Sequence, residues 1–201
     1  MRTLVRQSGS QPVSARERIL AEAFVLFYAE GIRAVGVDLL IGRSDVAKAT
    51  FYRHFASKND LVLAYVDRRR TAWLGWLTEA VEARTEQPEG RLLAVFDALA
   101  ELFDDPEYRG CAVNNALVEA GREAPGVRAA ALAHHRDVAR YLAGLATEAG
   151  LGAPADLAER WVLLIDGACA GALRTGDATP AAEARRVAEF HLAEAGTTAA
   201  R

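Results

Sequence analysis

Apolar residues recur at spacings of three and four along nearly the whole chain, and the strict alternation of a half-buried strand is absent. Alanine, leucine, glutamate and arginine, which all favour helices, are abundant. Glycine and proline divide this pattern into segments that begin and end like helices. We therefore predict an all-α fold of about nine helices, at residues 15–30, 37–43, 48–55, 57–84, 89–104, 110–122, 125–149, 154–175 and 180–195.

The first helix has clear signals at both ends. Ser14 and Glu17 have the spacing of a capping box, in which a hydroxyl and a carboxylate accept the free N–H groups of a helix start. Gly31 is suited to ending the helix, because glycine tolerates the backbone conformations found there. Residues 1–13, which precede the helix, are polar and predict a flexible arm.

The next two predicted helices are short and are joined by a tight connection at Ser44 and Asp45, a pattern typical of a helix-turn-helix. We define residues 14–60, which contain the first three helices, as the head. In the third helix Phe51 and Phe55 can anchor the helix to the first one. The polar residues that are left to point outward are Lys48, Thr50, Tyr52, Arg53 and His54.

An outward surface of this composition suits nucleic acid. Lysine and arginine reach phosphates or guanine edges, threonine contacts thymine, and tyrosine and histidine can donate to phosphate oxygens. The small Ala49 allows close approach to bases, and Lys58 starts the next helix, where its ammonium and the free N–H groups could hold one phosphate. Taken singly, the same residues also suit a solvated helix face, and spacing alone leaves both interpretations open.

The charge distribution agrees with a nucleic-acid partner at one end of the chain. The 201 residues carry a net charge of −3, but residues 1–60 hold nine basic and six acidic residues, a net +3, which leaves −6 for the remainder. A hydrophobic content of 51% supports a sizeable core. The two cysteines are far apart and indicate neither a disulfide framework nor a metal site. No cofactor motif is present in the sequence. No segment has the pattern of a signal peptide or of a membrane span. We expect a cytoplasmic protein.

The head resembles TetR/AcrR-type transcriptional regulators. The resemblance rests on Arg18-Ile19-Leu20 with Ala23-Phe24 and Leu26-Phe27, on residues 31–37, and on residues 46–55 with Ser57, Lys58 and Leu61. It implies a helix-turn-helix that binds a double-stranded DNA operator. By this similarity the residues at DNA-contact positions are Val37, Asp38, Lys48, Ala49, Thr50, Tyr52, His54 and Lys58.

Two residues depart from the family pattern. Asp45 lies in the turn where the family usually has glycine, although aspartate tolerates the left-handed conformation that a turn can require. Asp38 brings a carboxylate to a position where a phosphate or a base is expected. It could accept a hydrogen bond from cytosine, cap a helix or repel phosphate, and these alternatives leave the operator sequence open.

Residues 61–201 correspond to the effector-binding and dimerisation domain that the resemblance implies. A cavity there would be mainly apolar, with a few polar groups that orient an unknown small-molecule effector. The predicted lining residues, each of which also suits a structural role, are Trp73, Trp76, Phe96, Phe103, Cys111, Asn114, Asn115, His134, Tyr141 and Asp166.

Residues 161–173 are apolar nearly all round and rich in small side chains. Such a helix must be buried on every face, which predicts contact with its own domain and with a twin subunit in a four-helix interface. Two heads would then face successive major grooves, about 34–36 Å apart, on a palindromic operator. The predicted interface residues are Trp161, Ile165, Cys169, Leu173, Val187 and Phe190.

The leading hypothesis is thus a homodimeric DNA-binding repressor that an effector releases from its operator. An enzyme is the first rival, but no catalytic or phosphate-binding motif appears, and His134 and His135 point to different helix faces. A protein-interaction adaptor that keeps the fold without binding DNA is the second rival. The acidic residues Asp38 and Asp45 in the head keep this alternative open.

Overall fold

The protein is described by a computed structural model that covers residues 13–199, with side chains through residue 194. The predicted arm at residues 1–13 lies outside this range except for its last residue. Nine helices make up the described part, and it contains no strand, which confirms the all-α prediction. They are α1 (Ala15–Glu30), α2 (Val37–Ser44), α3 (Lys48–His54), α4 (Lys58–Glu82), α5 (Pro88–Phe103), α6 (Ala112–Ala120), α7 (Pro125–Glu148), α8 (Pro154–Thr175) and α9 (Thr179–Ala199).

Two compact units can be distinguished among the described residues. One contains residues 13–72 together with 112–133, and the other contains residues 73–111 together with 134–199. The helices α4 and α7 each contribute residues to both units. The boundary that we expect between residues 60 and 61 stays a prediction.

The start of α1 follows the predicted capping pattern in part. The hydroxyl of Ser14 accepts the backbone N–H of Glu17 at 3.2 Å, as expected. The carboxylate of Glu17 instead forms an ion pair with Arg68 on α4. Gly31 ends the helix with a φ of +90°, a conformation that residues with a Cβ rarely adopt.

The turn between α2 and α3 is formed by Asp45, which adopts the left-handed conformation with φ 50° and ψ 56°. Its backbone N–H donates to carbonyl oxygens at the end of α2. The guanidinium of Arg18, on α1, donates to the carbonyl oxygens of Ser44 and Asp45, each at 3.0 Å. The first helix therefore holds the turn that orients α3.

The core of the second unit is centred on Trp161 of α8. This side chain is fully buried, packs edge-on against Phe96 with ring centres 5.4 Å apart, and donates its indole N–H to Nδ1 of His191 at 3.2 Å. Ile165 and Cys169, on the same face of α8, are also buried in this core. The interface roles predicted for Trp161, Ile165 and Cys169 are therefore wrong, because their surface is already covered within one subunit.

The opposite surface of α8 and α9 exposes apolar side chains instead. Leu173, Val187 and Phe190 are exposed, the last by 74% of its surface. Leu163, which the sequence analysis did not select, is exposed by 68%. We call these four residues the apolar face. No described helix is both long and apolar enough to cross a membrane.

Candidate nucleic-acid interface

The third helix divides cleanly into an inner and an outer side. Phe51 and Phe55, its C-terminal neighbour, are buried, and α3 packs against α1 and α2 as predicted. The exposed residues recur at spacings of one and four, which places them on one stripe of the helix. They are Lys48, Ala49, Tyr52 and Arg53, and they are flanked by the half-buried Thr50 and His54.

The start of α2 lies beside the start of α3. Val37 is half-buried and Asp38 is exposed. The carboxylate of Asp38 lies 3.6 Å from the ammonium of Lys48, and both side chains are largely open to solvent. An exposed ion pair of this kind is weak, so a DNA phosphate can displace the carboxylate from the lysine. Asp38 thus has a partner in the free protein, which composition could not indicate.

The start of α4 brings a second cation to the head. The hydroxyl of Ser57 accepts the backbone N–H of Asp60 at 3.2 Å and donates to its carboxylate at 2.8 Å, so this helix start is capped. The ammonium of Lys58 lies 6.0 Å from the ring centre of Phe27. Burial lowers the pKa of Lys58, and the negative charge of Glu119 partly opposes this effect. The side chain remains partly open to solvent.

These side chains can bind a duplex in two ways. A short helix with exposed basic side chains, a hydroxyl and an aromatic edge fits the width of the major groove. Hydrogen bonds to the DNA bases in this groove provide sequence specificity. Cations at the ends of neighbouring helices hold the phosphates on either side and give affinity without sequence preference. The head presents both kinds of group on α2, α3 and α4.

Part of the predicted effector pocket comes together in the second unit. Trp73 packs edge-on against His134 with ring centres 5.2 Å apart, and Trp76 lies 6.2 Å from Trp73. Tyr141 lies two turns beyond His134 on α7, and burial raises the pKa of its hydroxyl. Trp73, Trp76 and His134 thus form an aromatic group on α4 and α7, and Tyr141 lies further along α7.

Other predicted pocket residues lie elsewhere. Phe103 packs against Tyr108, whose hydroxyl donates to the backbone oxygen of Cys169 at 3.3 Å. Cys111 and Asp166 are half-buried. Cys169 is buried, and this burial is the main reason why the pKa of its thiol is raised. Phe96 belongs to the core around Trp161, whereas Asn114 and Asn115 lie half-buried on α6, in the unit that contains the head.

A cleft of about 300 Å³ opens between the first turns of α8 and the far end of α9. None of the predicted pocket residues lines it. Its lining residues are Gly152, Ala153, Asp156, Leu157, Arg160, His191 and Glu194. No sequence pattern predicts this cleft, because residues 152–160 and 191–194 are far apart in the chain and share no motif.

Glu119 is a second residue whose contacts the sequence does not predict. This residue is on α6 but contacts the turn that follows α1, where its carboxylate accepts the backbone N–H of Arg33 at 3.1 Å. No periodicity or motif in the sequence links two positions that are 86 residues apart.

Known proteins match both parts of the chain. Residues 19–65 match the family described as "Bacterial regulatory proteins, tetR family", and residues 88–188 match "Tetracyclin repressor-like, C-terminal domain". A crystal structure of a TetR-family transcriptional regulator from Streptomyces coelicolor is similar, with a TM-score of 0.79 and 32% identity over 90% of this chain and 95% of that chain.

Two curated relatives are more distant. The HTH-type transcriptional regulator TcmR of Streptomyces glaucescens is 27% identical over 153 residues, which are 75% of this chain and 67% of TcmR. An uncharacterised HTH-type regulator of Lactococcus lactis is 26% identical over 107 residues, which are 53% of this chain and 55% of that protein. The matched part thus spans about half of the lactococcal relative. These relatives are transcriptional regulators and not enzymes. This chain belongs to the TetR family of bacterial transcriptional regulators and carries their DNA-binding helix-turn-helix in its head.

Proposed function

We propose that this protein is a homodimeric repressor that leaves a palindromic operator when a small, largely apolar effector binds to its C-terminal helices. The observation that carries the proposal is the exposed polar stripe on α3, flanked by the starts of α2 and α4. The proposed DNA contacts are Val37, Asp38, Lys48, Ala49, Thr50, Tyr52, Arg53, His54 and Lys58.

The apolar face on α8 and α9 supports the homodimer. Large exposed apolar side chains on two helices that pack together favour association, because the removal of apolar surface from water lowers the free energy. A two-fold arrangement lets one such face cover its own copy. Two heads held in this way would meet successive major grooves, about 34–36 Å apart, and the two-fold symmetry of the dimer would make the operator palindromic.

The aromatic group formed by Trp73, Trp76 and His134, with Tyr141 further along α7, supports a largely apolar effector. Aromatic walls provide apolar contact area, while the imidazole and the phenol can each orient a polar group of the ligand. A coupling of about 1–3 kcal/mol between effector and DNA would change the affinity for the operator about 5- to 150-fold. A cytoplasmic location is part of the same proposal.

A band-shift assay with the DNA upstream of the protein's own gene tests the proposal. We expect salt-sensitive binding that Tyr52→Ala and Lys58→Ala each weaken without loss of fold or of the dimer. The control is Arg140→Ala, because Arg140 is an exposed residue on α7 that pairs with Asp137. This variant should bind the DNA like the wild type. Binding that neither head variant weakens would contradict the proposed contacts, and a lack of any DNA binding would favour the adaptor.

Gene deletion separates repression from activation. Transcription from the bound promoter should rise in the deletion strain, because a repressor no longer covers the operator. A fall in transcription would identify an activator with the same DNA contacts.

A further inference from the structure

The end of α6 contacts the turn between α1 and α2 through Glu119. Its carboxylate accepts the backbone N–H of Arg33 at 3.1 Å. In return, the guanidinium of Arg33 donates to the backbone oxygen of Glu119, also at 3.1 Å. Two hydrogen bonds that run in opposite directions between the same residues fix both the distance and the orientation of the turn relative to the end of α6.

The backbone of the turn is shaped to receive this carboxylate. Gly31 has a φ of +90°, which residues with a Cβ rarely adopt. A Cβ at this position would also lie 3.2 Å from a carboxylate oxygen of Glu119, closer than ordinary van der Waals contact. Glycine therefore both ends α1 and leaves the space that the carboxylate occupies.

The residues that follow α6 hold the first turn of α4. The side-chain amide of Asn59 donates to the backbone oxygen of Glu123 at 3.3 Å. The carboxylate of Glu123 lies 3.6 Å from the guanidinium of Arg33, but both side chains are about 70% exposed, so this ion pair contributes little. Asn59 is the neighbour of Lys58, one of the proposed phosphate contacts.

These two contacts precede and follow the recognition helix α3 in the chain. The turn at Arg33 leads into α2, whose first residues Val37 and Asp38 are proposed DNA contacts, and Asn59 belongs to the start of α4. Residues 112–133 lie in the same compact unit as the head. Contacts to the DNA backbone determine the register in which a recognition helix meets the bases. The end of α6 is thus attached to both elements that flank α3.

We propose that Glu119 is a positioning residue for DNA binding, which fastens the turn at Arg33 and so holds the start of α2 where it meets the DNA. This inference rests on the proposed DNA contacts of the head. It extends the part of the chain that DNA binding requires from residues 14–60 to the end of α6. It also assigns the role to the geometry of the carboxylate and not to its charge.

Two substitutions separate the geometry of Glu119 from its charge. Glu119→Asp keeps the charge but shortens the side chain by one methylene, which withdraws the carboxylate from the N–H of Arg33. Glu119→Gln removes the charge but keeps the length and a carbonyl oxygen that can accept the same N–H. Glu79→Asp is the matched control, because Glu79 is an exposed glutamate on α4 in the other compact unit.

Fluorescence anisotropy measures binding to the DNA upstream of the protein's own gene, at a temperature at which circular dichroism shows every variant to be folded. Glu119→Asp should bind about two- to tenfold more weakly than the wild type, the range that corresponds to one lost hydrogen bond. Glu119→Gln should bind at least as tightly as the wild type, because it keeps the contact and removes a charge that repels phosphate. Glu79→Asp should stay within about twofold of the wild type.

The opposite order would overturn the inference. If the charge of Glu119 mattered and its geometry did not, Glu119→Gln would bind more tightly while Glu119→Asp bound like the wild type. A Glu119→Asp protein that unfolds more easily but binds normally when folded would show a purely structural role. An equal loss of affinity in both variants would also contradict the inference.

Failure of the proposed function looks different in the same assay. The wild type itself would then show no salt-sensitive binding to the upstream DNA, and the inference would fail with it. Failure of the inference alone leaves the binding of the wild type intact and changes only the order of the variants.

Discussion

Asp45 is a single residue that determines how tightly α2 and α3 are joined. It has a φ of 50°, a conformation that costs an L-residue free energy but that glycine adopts freely. Its functional contact is a backbone oxygen, which accepts from Arg18 and survives any substitution of the side chain. Substitutions at Asp45 therefore measure the free-energy cost of the backbone conformation, with little contribution from side-chain contacts.

We predict that Asp45→Gly raises the free energy of unfolding by about 0.5–1 kcal/mol, because the relief of left-handed strain exceeds the entropy that glycine adds to the unfolded chain. Asp45→Ala should lower it by about 1 kcal/mol, since alanine has the Cβ without the local hydrogen bonding of aspartate. Urea denaturation followed by circular dichroism measures both changes. A glycine variant no more stable than the wild type would show that the turn conformation is not strained.

At the scale of elements, Arg69 joins α4 to α1. Its guanidinium is buried, donates to the backbone oxygen of Phe24, and lies 3.5 Å from the ring centre of Phe24 and 4.4 Å from that of Tyr28. Burial lowers the pKa of Arg69, and the nearby Tyr65 opposes this effect. A flat cation between aromatic rings gains both packing and cation–π attraction.

We predict that Arg69→Ala lowers the free energy of unfolding by about 2–4 kcal/mol, since it leaves a cavity between the two helices. Arg69→Lys should recover little of this loss, because a compact ammonium cannot stack on a ring as a planar guanidinium does. Arg69→Met should recover most of this loss, because an apolar side chain of similar volume fills the cavity and carries no buried charge that needs a partner. Urea denaturation provides the values.

Arg140→Ala is the control for this series, because Arg140 is 74% exposed and pairs with Asp137, one helical turn away. Its effect should stay within about 0.5 kcal/mol. If lysine at position 69 were as stable as arginine, the planar stacking would contribute nothing to the contact between α1 and α4.

The helices themselves could be predicted from the sequence, because their signals are local. Ser14, Gly31 and the proline that starts α8 mark ends that the structure confirms, and the predicted ends lie within two residues everywhere except at the end of α9. The inner and outer sides of α3 followed from the positions of Phe51 and Phe55. Each of these inferences needs only residues within one or two helical turns.

Contacts between distant helices could not be predicted in the same way. Arg69 looks like a solvated arginine in the sequence, since only the placement of α1 against α4 surrounds it with rings. Asp38 could not be assigned until α3 brought Lys48 within 3.6 Å. The contact of Glu119 with Arg33 likewise depends on tertiary structure and on no local pattern.

At the scale of the whole molecule, the orientation of α8 decides which residues can meet a second subunit. The sequence shows apolar residues all round this helix, so the inner and outer sides could not be distinguished by composition. The structure buries Trp161 and exposes Leu163, two residues further along the chain. Leu163, Gly167 and Ala170 are exposed at spacings of four and three, the periodicity of one helix face.

The apolar face of Leu163, Leu173, Val187 and Phe190 makes a definite prediction about assembly. Phe190→Glu should convert a dimer into a monomer, because a charge would be buried without a partner at the centre of an apolar contact. Light scattering after size-exclusion chromatography measures the mass. Val118→Glu, at a valine on α6 that is 83% exposed, is the matched control and should remain dimeric.

The monomer should retain its helical circular dichroism, since Phe190 is 74% exposed within its own subunit. Its affinity for a palindromic operator should fall at least tenfold, because two linked heads bind more tightly than one. A Phe190→Glu protein that stays dimeric would place the subunit contact on another surface.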